Sequence, residues 1–513
     1  MRETVRWRRT AEHVAVLLFS LLVLAVHDVG YLLSQPFWND EAWVAVTTRL
    51  PLSQLPATTL STPIGWSVLM RFLTVGGEQT SRLLPLAFAG AGVVITYWFG
   101  RGLGWARQAS VVGGVLAGTA VLLVPAMLVR DDLKQYTADA CMALLVLALT
   151  SRLEREWSRL GLVILSTAVW GGMVFSDASA FTGIAAFAAL CVVQFVQRAW
   201  RRLAEAAVVG AGTALLMLAV YEAFDARAVA EPGLTAYWSR YYLPVGQNLH
   251  TNIEFIITRL VAVRAGFGLG PAWLALPLVL AGLVTIFRLG RPATAVTITV
   301  LWPEMLAVSA VQRYPFLDLR TSTFLFAITA AVAAIGVAGA CSLLQTRLKG
   351  TLAAGLAALA TATFVIHAQP YVRSHRIPRE DVRDQALYVA AHAARSDVIL
   401  VNLTASFGFA YYWPVGAPAR RPDATLLPGY EPYFPDQPDI VVARSREPGG
   451  IDAALSQAEA RRHACGRLWL VASHETRLEK QAVTTALHRQ KLTPTPVGKD
   501  GLSVVSPDGS RCH

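Results

Sequence analysis

Two adjacent carboxylates stand among aromatic residues in Pro36-Phe-Trp-Asn-Asp-Glu-Ala-Trp43, where Asp40 and Glu41 follow a long apolar run. A carboxylate beside a membrane surface costs free energy unless it is solvated, paired or used. There it can take a proton from a hydroxyl as general base, or help hold a cation. The same residues suit a helix start, with Asn39 or Asp40 as N-cap of a segment running through Thr48. The two uses are compatible, because capping by Asn39 leaves Asp40 available. A second acidic stretch, Arg130-Asp-Asp-Leu-Lys-Gln-Tyr-Thr-Ala-Asp139, brings Asp131, Asp132, Lys134, Tyr136 and Asp139 close together. Lys134 suits either an anion or an ion pair with Asp131 or Asp132. Tyr136 and Asp139 either complete a second-loop site or, for Asp139, cap the helix that follows. Glu304 lies beside Pro303 inside an apolar run, and an intramembrane acid is a functional candidate by default. A basic partner, or a place nearer the surface, would explain it equally.

The elements that must position these groups follow from composition. Apolar residues make up 54% of the 513-residue chain and charged residues only 15%, where a soluble domain carries about 25%. Disordered, collagen-like, disulfide-scaffold and single-core soluble classes are therefore excluded. The run at 14–33 and further runs centred near 91, 118, 144, 168, 187, 214, 279, 303, 332 and 360 predict about eleven spanning helices, each of roughly 20 residues. No small-x-small cleavage site follows the first run, so it reads as an uncleaved helix with a cytoplasmic N-terminus. The 45 basic and 34 acidic residues leave a net charge of +11. The surplus sits in short loops at 101–107, 152–159, 198–202, 288–291 and 347–349, all on one side of an eleven-span layout. That is a topology signal and a source of attraction to lipid headgroups, not a nucleic-acid footprint. Loops at 34–81, 130–139 and 222–270 then face outward, with the tail after Gln369.

The tail is different in kind. From Pro370 the charge returns to soluble levels, and apolar strand-like runs at 397–402, 439–443 and 467–472 alternate with helix-like segments at 380–394, 451–462 and 475–489. The alternation predicts a small α/β layer domain at 370–513, beside a membrane domain at 1–369. No glycine-rich phosphate loop follows a strand. The five cysteines show no metal-ligand spacing; Cys141, Cys191 and Cys341 lie in apolar runs. Outside the cytoplasm, Cys465 and Cys512 would be able to pair.

An Asp-Glu pair just after the first span resembles the GT-C membrane glycosyltransferases, above all the protein-mannosyltransferase and aminoarabinose-transferase (glycosyltransferase family 39-like) branch. Ser61-Thr-Pro-Ile-Gly-Trp-Ser-Val-Leu-Met-Arg71 resembles the family's Pro-led amphipathic helix, and Ser81-Arg-Leu-Leu-Pro85 its entry to the second span. The Lys134-Gln-Tyr-Thr-Ala-Asp139 segment and Tyr314-Pro-Phe-Leu-Asp-Leu-Arg320 resemble two further family segments, in the same order. The resemblance covers roughly 10–340. It implies a polytopic GT-C fold with about eleven spans, a polyprenyl-phosphate sugar donor, and inverting transfer to an envelope glycan, lipid or protein on the outer face. It places Asp40 as base with Glu41 supporting. Arg320, Arg313 and Lys134 are the outward basic residues nearest the membrane and suit the departing phosphate; snorkelling would also explain both arginines. Some relatives hold a divalent cation between acids of the first two loops, a role open to Asp40, Glu41, Asp131 and Asp132, and others work without one.

The main rival is a transporter or flippase for an envelope precursor. Transporters often show internal repeats and broken mid-membrane helices, and neither is evident here. A non-catalytic scaffold of the same shape and a lipid-linked O-antigen ligase or polymerase are further alternatives. The Tyr237-Trp-Ser-Arg-Tyr-Tyr242 stretch reads as an interfacial aromatic belt rather than a sugar platform. An alanine- and arginine-rich, lysine-poor composition points to a bacterial plasma membrane.

Overall fold

The computed structural model describes residues 2–58, 62–74, 76–105, 107–128, 132–226, 232–347, 350–372, 381–415, 419–420 and 431–507. Every expected span is helical. Glu78–Gly102, Tyr136–Arg155, Asp177–Val196, Trp200–Asp225, Pro292–Ala310, Thr323–Leu344 and Thr351–Val372 are long and apolar enough to cross a membrane. The other four expected positions hold shorter apolar helices, Thr10–Val26, Ala109–Leu122, Arg159–Met173 and Trp273–Arg288. The chain forms two compact units. A membrane unit comprises Met1–Leu33, Thr62–Trp66 and Arg82–Arg376, and a sheet unit comprises Ser34–Ser61, Ser67–Ser81 and Ile377–His513.

Inside the membrane unit the helix Thr323–Arg347 is the centre, with Phe324, Phe326, Ala331 and Ile335 fully enclosed. It packs on Ala272–Arg288, Arg107–Leu122 and Tyr136–Arg155. Its contact with Ala272–Arg288 needs glycine on both sides. A Cβ on Gly282 would collide with the Val332 carbonyl, and one on Gly336 with the Leu278 carbonyl. Without a hydrophobic drive between helices in lipid, such close backbone approach is what holds them together. Trp200–Asp225 and Thr351–Val372 instead present exposed apolar side chains, among them Val208, Leu215, Leu359 and Ile366, to the surroundings. Arg82, fully buried, donates to the Leu32 carbonyl at 2.7 Å and so ties the end of the first span to the second.

The sheet unit carries the α/β layer expected from the tail. Strands β1 (Val398–Val401), β4 (Ile440–Val442) and β5 (Leu468–Val471) are parallel, and β6 (Pro494–Pro496) and β7 (Leu502–Val505) continue the sheet antiparallel in the order β4-β1-β5-β7-β6. Ile399 faces Ile440 on one side and Trp469 on the other. A separate pair, β2 (Ala419–Arg420) and β3 (Pro432–Tyr433), is antiparallel. Helices Pro448–Arg461 and Arg477–Arg489 bury Leu455 and Leu487 against Val398, Val441 and Leu468. Asp397 anchors the start of β1, accepting from Arg467 N at 2.7 Å, Ala394 N at 2.9 Å and Trp469 Nε1 at 3.0 Å. Burial alone would push its carboxyl up, but these donors and the Arg467 guanidinium hold it below the usual carboxylate range. The same unit contains most of the first loop. Cys465 is exposed, and Cys512, suggested as its partner, lies outside the described residues.

Candidate active site

Asp40 lies in the first turn of the helix Asn39–Thr48. The cap falls one residue before Asn39 and two before Asp40, the caps read from the sequence: Trp38 is the N-cap, and Glu41 at the third helical position reaches back to accept from Trp38 N at 3.4 Å. Acids in the first turn also suit the positive end of the helix dipole. Glu41 is fully buried, while Asp40 is only half-buried.

The rest of this helix is held by the sheet unit's own groups. Trp43 stacks on Phe407 with ring centroids 5.5 Å apart, and Phe37 meets the edge of Tyr411 at 5.0 Å. Phe37 N donates to Tyr412 Oη at 2.6 Å, and that hydroxyl in turn donates to Glu78, which also pairs with Arg383 at 3.0 Å. Burial and the adjacent Glu78 charge push the Tyr412 hydroxyl far up, so it stays a donor. At the other helix end Arg71 donates to the Thr48 carbonyl at 3.0 Å and also to that of Leu50. Arg49 lies 3.7 Å above the Tyr411 ring. The short helix Ser406–Tyr412 thus clamps the strip that bears Asp40, a role sequence reasoning did not find. Aromatic density in Phe407-Gly-Phe-Ala-Tyr-Tyr-Trp413 was the available signal.

The second loop belongs to the membrane unit. Gly65 N donates to the Val174 carbonyl at 2.7 Å, an approach a side chain at Gly65 would block. Next to it the enclosed Trp66 indole donates to the Leu133 carbonyl at 2.8 Å, fixing the loop. Asp132 accepts from Lys134 N at 3.1 Å; both side chains and Tyr136 are buried. Asp139 is fully enclosed and accepts from Ser176 Oγ at 2.8 Å and Ala178 N at 3.5 Å. It therefore caps the helix Asp177–Val196 rather than its own, and its Oδ2 has no hydrogen-bond partner among the described residues. Asp131 lies outside the described residues.

Two more acids, absent from the sequence reading, join this cluster. Gln135 Nε2 donates to Asp177 Oδ2 at 3.4 Å, and the Asp177 charge acts on both Asp139 and Asp225. A Ser-Asp pair between two apolar runs, Ser176-Asp177, was the signal. Tyr314 donates to the Thr321 carbonyl at 2.9 Å, and burial together with Asp139 and Asp177 pushes its hydroxyl well up. Among the described residues no group of three His, Cys, Asp or Glu side chains is arranged to hold a metal ion.

Arg313 and Arg320 fall in one connection, 311–322, and two further arginines, Arg240 and Arg259, lie over the Tyr241 ring. Arg320 donates to Tyr237 Oη at 2.6 Å, lies 5.1 Å from the Trp238 ring and pairs with Asp318 at 3.6 Å. Arg259 lies 4.2 Å over Tyr241 and donates to the Leu317 carbonyl at 2.6 Å; Arg240 also faces Tyr241. Arg313 is exposed and close to Tyr242, whose hydroxyl burial pushes up while the arginine partly offsets this. The aromatic stretch 237–242 therefore covers guanidinium faces. Glu304 lies apart from these groups on Pro292–Ala310, half-buried, with Oε2 lacking a hydrogen-bond partner among the described residues.

No family model matches the sequence, and no curated protein matches it. Solved structures do. ArnT from Cupriavidus metallidurans bound to undecaprenyl phosphate aligns over 98% of this chain and 99% of its own, at 12% identity and a TM-score of 0.56. Archaeal oligosaccharyltransferase AglB from Archaeoglobus fulgidus, in complex with an inhibitory peptide and a dolichol-phosphate, aligns over 98% of this chain and 75% of its own, at 12% identity and 0.53. The Archaeoglobus fulgidus oligosaccharyltransferase complex with Zn and sulfate aligns over 78% of this chain at 14% identity and 0.50, and the chain spans 61% of that protein's length. Likeness at these identities is likeness of fold. The chain is a multi-pass membrane protein with the GT-C fold and a C-terminal α/β layer.

Proposed function

We propose that this protein is a membrane glycosyltransferase that moves one sugar from a polyprenyl phosphate to an envelope glycan, lipid or protein, with inversion. The near end-to-end fold correspondence to ArnT, whose structure holds undecaprenyl phosphate, is the observation that carries this reading. In it, residues 1–369 carry the transfer at the outer face of a bacterial plasma membrane, with the N-terminus in the cytoplasm. Residues 370–513 form an extracytoplasmic domain, and Ser406–Tyr412 steadies the Asp40 helix.

Asp40 takes the proton of the acceptor hydroxyl as the oxygen attacks the anomeric carbon, and the bond from that carbon to the lipid phosphate breaks. Negative charge then collects on the leaving phosphate. Arg320 and Arg313 stabilise it, since guanidinium groups suit phosphate oxygens and do not lose their charge. Lys134 adds a further positive charge from the second loop. Glu41 supports Asp40 by holding the first helical turn. Asp132, Tyr136 and Asp139 shape the second loop, and Glu304 is kept as a separate intramembrane candidate. A divalent cation, if bound, would draw on Asp40, Glu41, Asp131 and Asp132, and would offset phosphate charge.

Purified protein given a panel of polyprenyl-phosphate sugars and envelope acceptors tests the reading. Transfer by the unmodified protein and its loss in Asp40→Asn are expected. Ion-driven solute flux in proteoliposomes without any transfer would replace the enzyme with a transporter. Activity lost to a chelator and restored by a divalent ion would assign the cation.

A further inference from the structure

The helix Leu249–Val263 lies between the helices Trp200–Asp225 and Ala272–Arg288, both apolar elements of the membrane unit. Its fifteen residues rise about 22 Å, short of the roughly 30 Å hydrocarbon core. Arg159–Met173 is as short, but Leu249–Val263 does not belong with the apolar helices of that length: it carries Glu254 and Arg259 in the middle turns that a crossing would bury. Yet Leu249 is 74% exposed, Ile257 55% and Ile253 46%, and Leu260 is exposed beside them. At about 100° per residue these four share one flank of the helix. Glu254 and Thr258, also exposed, fall on the adjoining flank, and Phe255 and Arg259 on the third. Three flanks of three chemistries are what a helix needs when it meets lipid, water and protein at once.

The protein-facing flank reaches the arginine-bearing connection. Phe255 packs near Phe316, with centroids 6.4 Å apart, and Arg259 donates to the Leu317 carbonyl. Leu317 has φ +50°, the left-handed region that a branched side chain resists. Phe316 N donates to the Tyr241 carbonyl at 2.9 Å, and Asp318 Oδ1 accepts from Arg320 N at 3.0 Å and Thr321 N at 3.2 Å. The strained residue is thus held from both sides, and Arg259 supplies the bond made to it directly. Arg240, Arg259, Arg313 and Arg320 outnumber Asp318 here, a surplus that suits anionic headgroups. The apolar flank leads, through 264–271, into Ala272–Arg288, whose Trp273, Leu276 and Leu280 are also exposed.

We propose that Leu249–Val263 lies in the plane of the membrane, with Leu249, Ile253, Ile257 and Leu260 sunk among the lipid chains. Arg259 is the positioning residue through which this lipid-seated helix holds 316–320, and with it Arg320, at headgroup depth. The depth and the hold stand on geometry alone; only the kinetic consequence rests on the transferase reading.

The test uses full-length protein in nanodiscs, after replacement of the exposed Cys465 and of Cys512. A fluorophore on Ile257→Cys is expected to be quenched by chain-brominated lipid about threefold more than one on Glu254→Cys, as in-plane seating requires. Equal quenching at both sites, or none at either, overturns the placement. Arg259→Ala is expected to speed amide exchange across 316–322 about tenfold, equivalent to about 1.4 kcal/mol, while Arg259→Lys retains part of the protection. Unchanged exchange in Arg259→Ala overturns the hold. In a working transfer assay, Arg259→Ala raises the KM for the lipid-phosphate donor severalfold with little change in kcat. If no donor is turned over by the unmodified protein, the transferase reading fails while the quenching and exchange results still decide this one.

Discussion

Glu41 and Asp139 each use a carboxylate to start a helix, but over very different distances along the chain. Glu41 reaches back three residues to Trp38 N and starts its own helix, Asn39–Thr48. Asp139 reaches across the membrane unit to Ser176 and Ala178 and starts the helix Asp177–Val196. Both side chains are fully enclosed. The difference shows how an acid beside a membrane is made tolerable: a helix start offers unpaired N–H groups whether it is local or distant. It also separates Asp40 from its neighbours. Asp40 is the half-buried acid in a motif whose other carboxylate is occupied by backbone.

The contrast predicts a graded series. Asp40→Asn is expected to lower transfer by about 10²-fold or more, the range for removing a general base, with the melting temperature unmoved. A variant as active as the unmodified protein would leave Asp40 without a catalytic part. Asp139→Ala strips a distant cap from an enclosed site, and thermal unfolding in detergent should report a loss of about 1–3 kcal/mol. Asp139→Asn should fall between the two, because the amide oxygen still accepts. Tyr412→Phe leaves the enclosed Phe37 N–H without its partner and should cost about 1–2 kcal/mol. Here the readout is faster proteolysis of the first loop, and an unchanged rate would mean the clamp does not hold it. Glu41→Gln keeps an acceptor and loses only the charge at the helix start, so about 0.3–1 kcal/mol is expected. If it equals Asp139→Ala in effect, local and distant caps are not the distinct cases drawn above.

A pH series provides the smallest test. The Asp397 carboxyl is depressed in the folded state, so its contribution is complete above the unfolded value, about 3.9. It is lost as pH falls through the folded value. The sheet unit should therefore soften below about pH 4, and Asp397→Asn should remove that acid sensitivity.

Much of this architecture can be read from one sequence. The apolar runs and their spacing anticipate the seven helices long enough to cross a membrane and four shorter apolar ones, because lipid forces each backbone group into helix and leaves long apolar runs as the trace. The α/β layer was also legible: β1, β4 and β5 fall inside the three strand-like runs. Local chemistry was partly visible. Glu41 lies three residues from Trp38, within reach of a sequence window, although the cap falls on Trp38 and not on Asn39 or Asp40. Asp139 was visible as an acid at a helix start, but not as the cap of another helix.

What the sequence by itself determined is therefore the set of apolar membrane helices, their order and the short list of acids and arginines at their ends. These depend on periodicity and on neighbours a few residues apart. The tertiary structure alone decided which of those groups meet. It brought Tyr412 to Phe37 and Glu78, Ser176 to Asp139, and Arg259 to Leu317. Such pairs are separated by tens to hundreds of residues, and each is a hydrogen bond that exists only once helices have packed. No residue type announces a partner that far away, because donors and acceptors are common and burial decides which of them must pair.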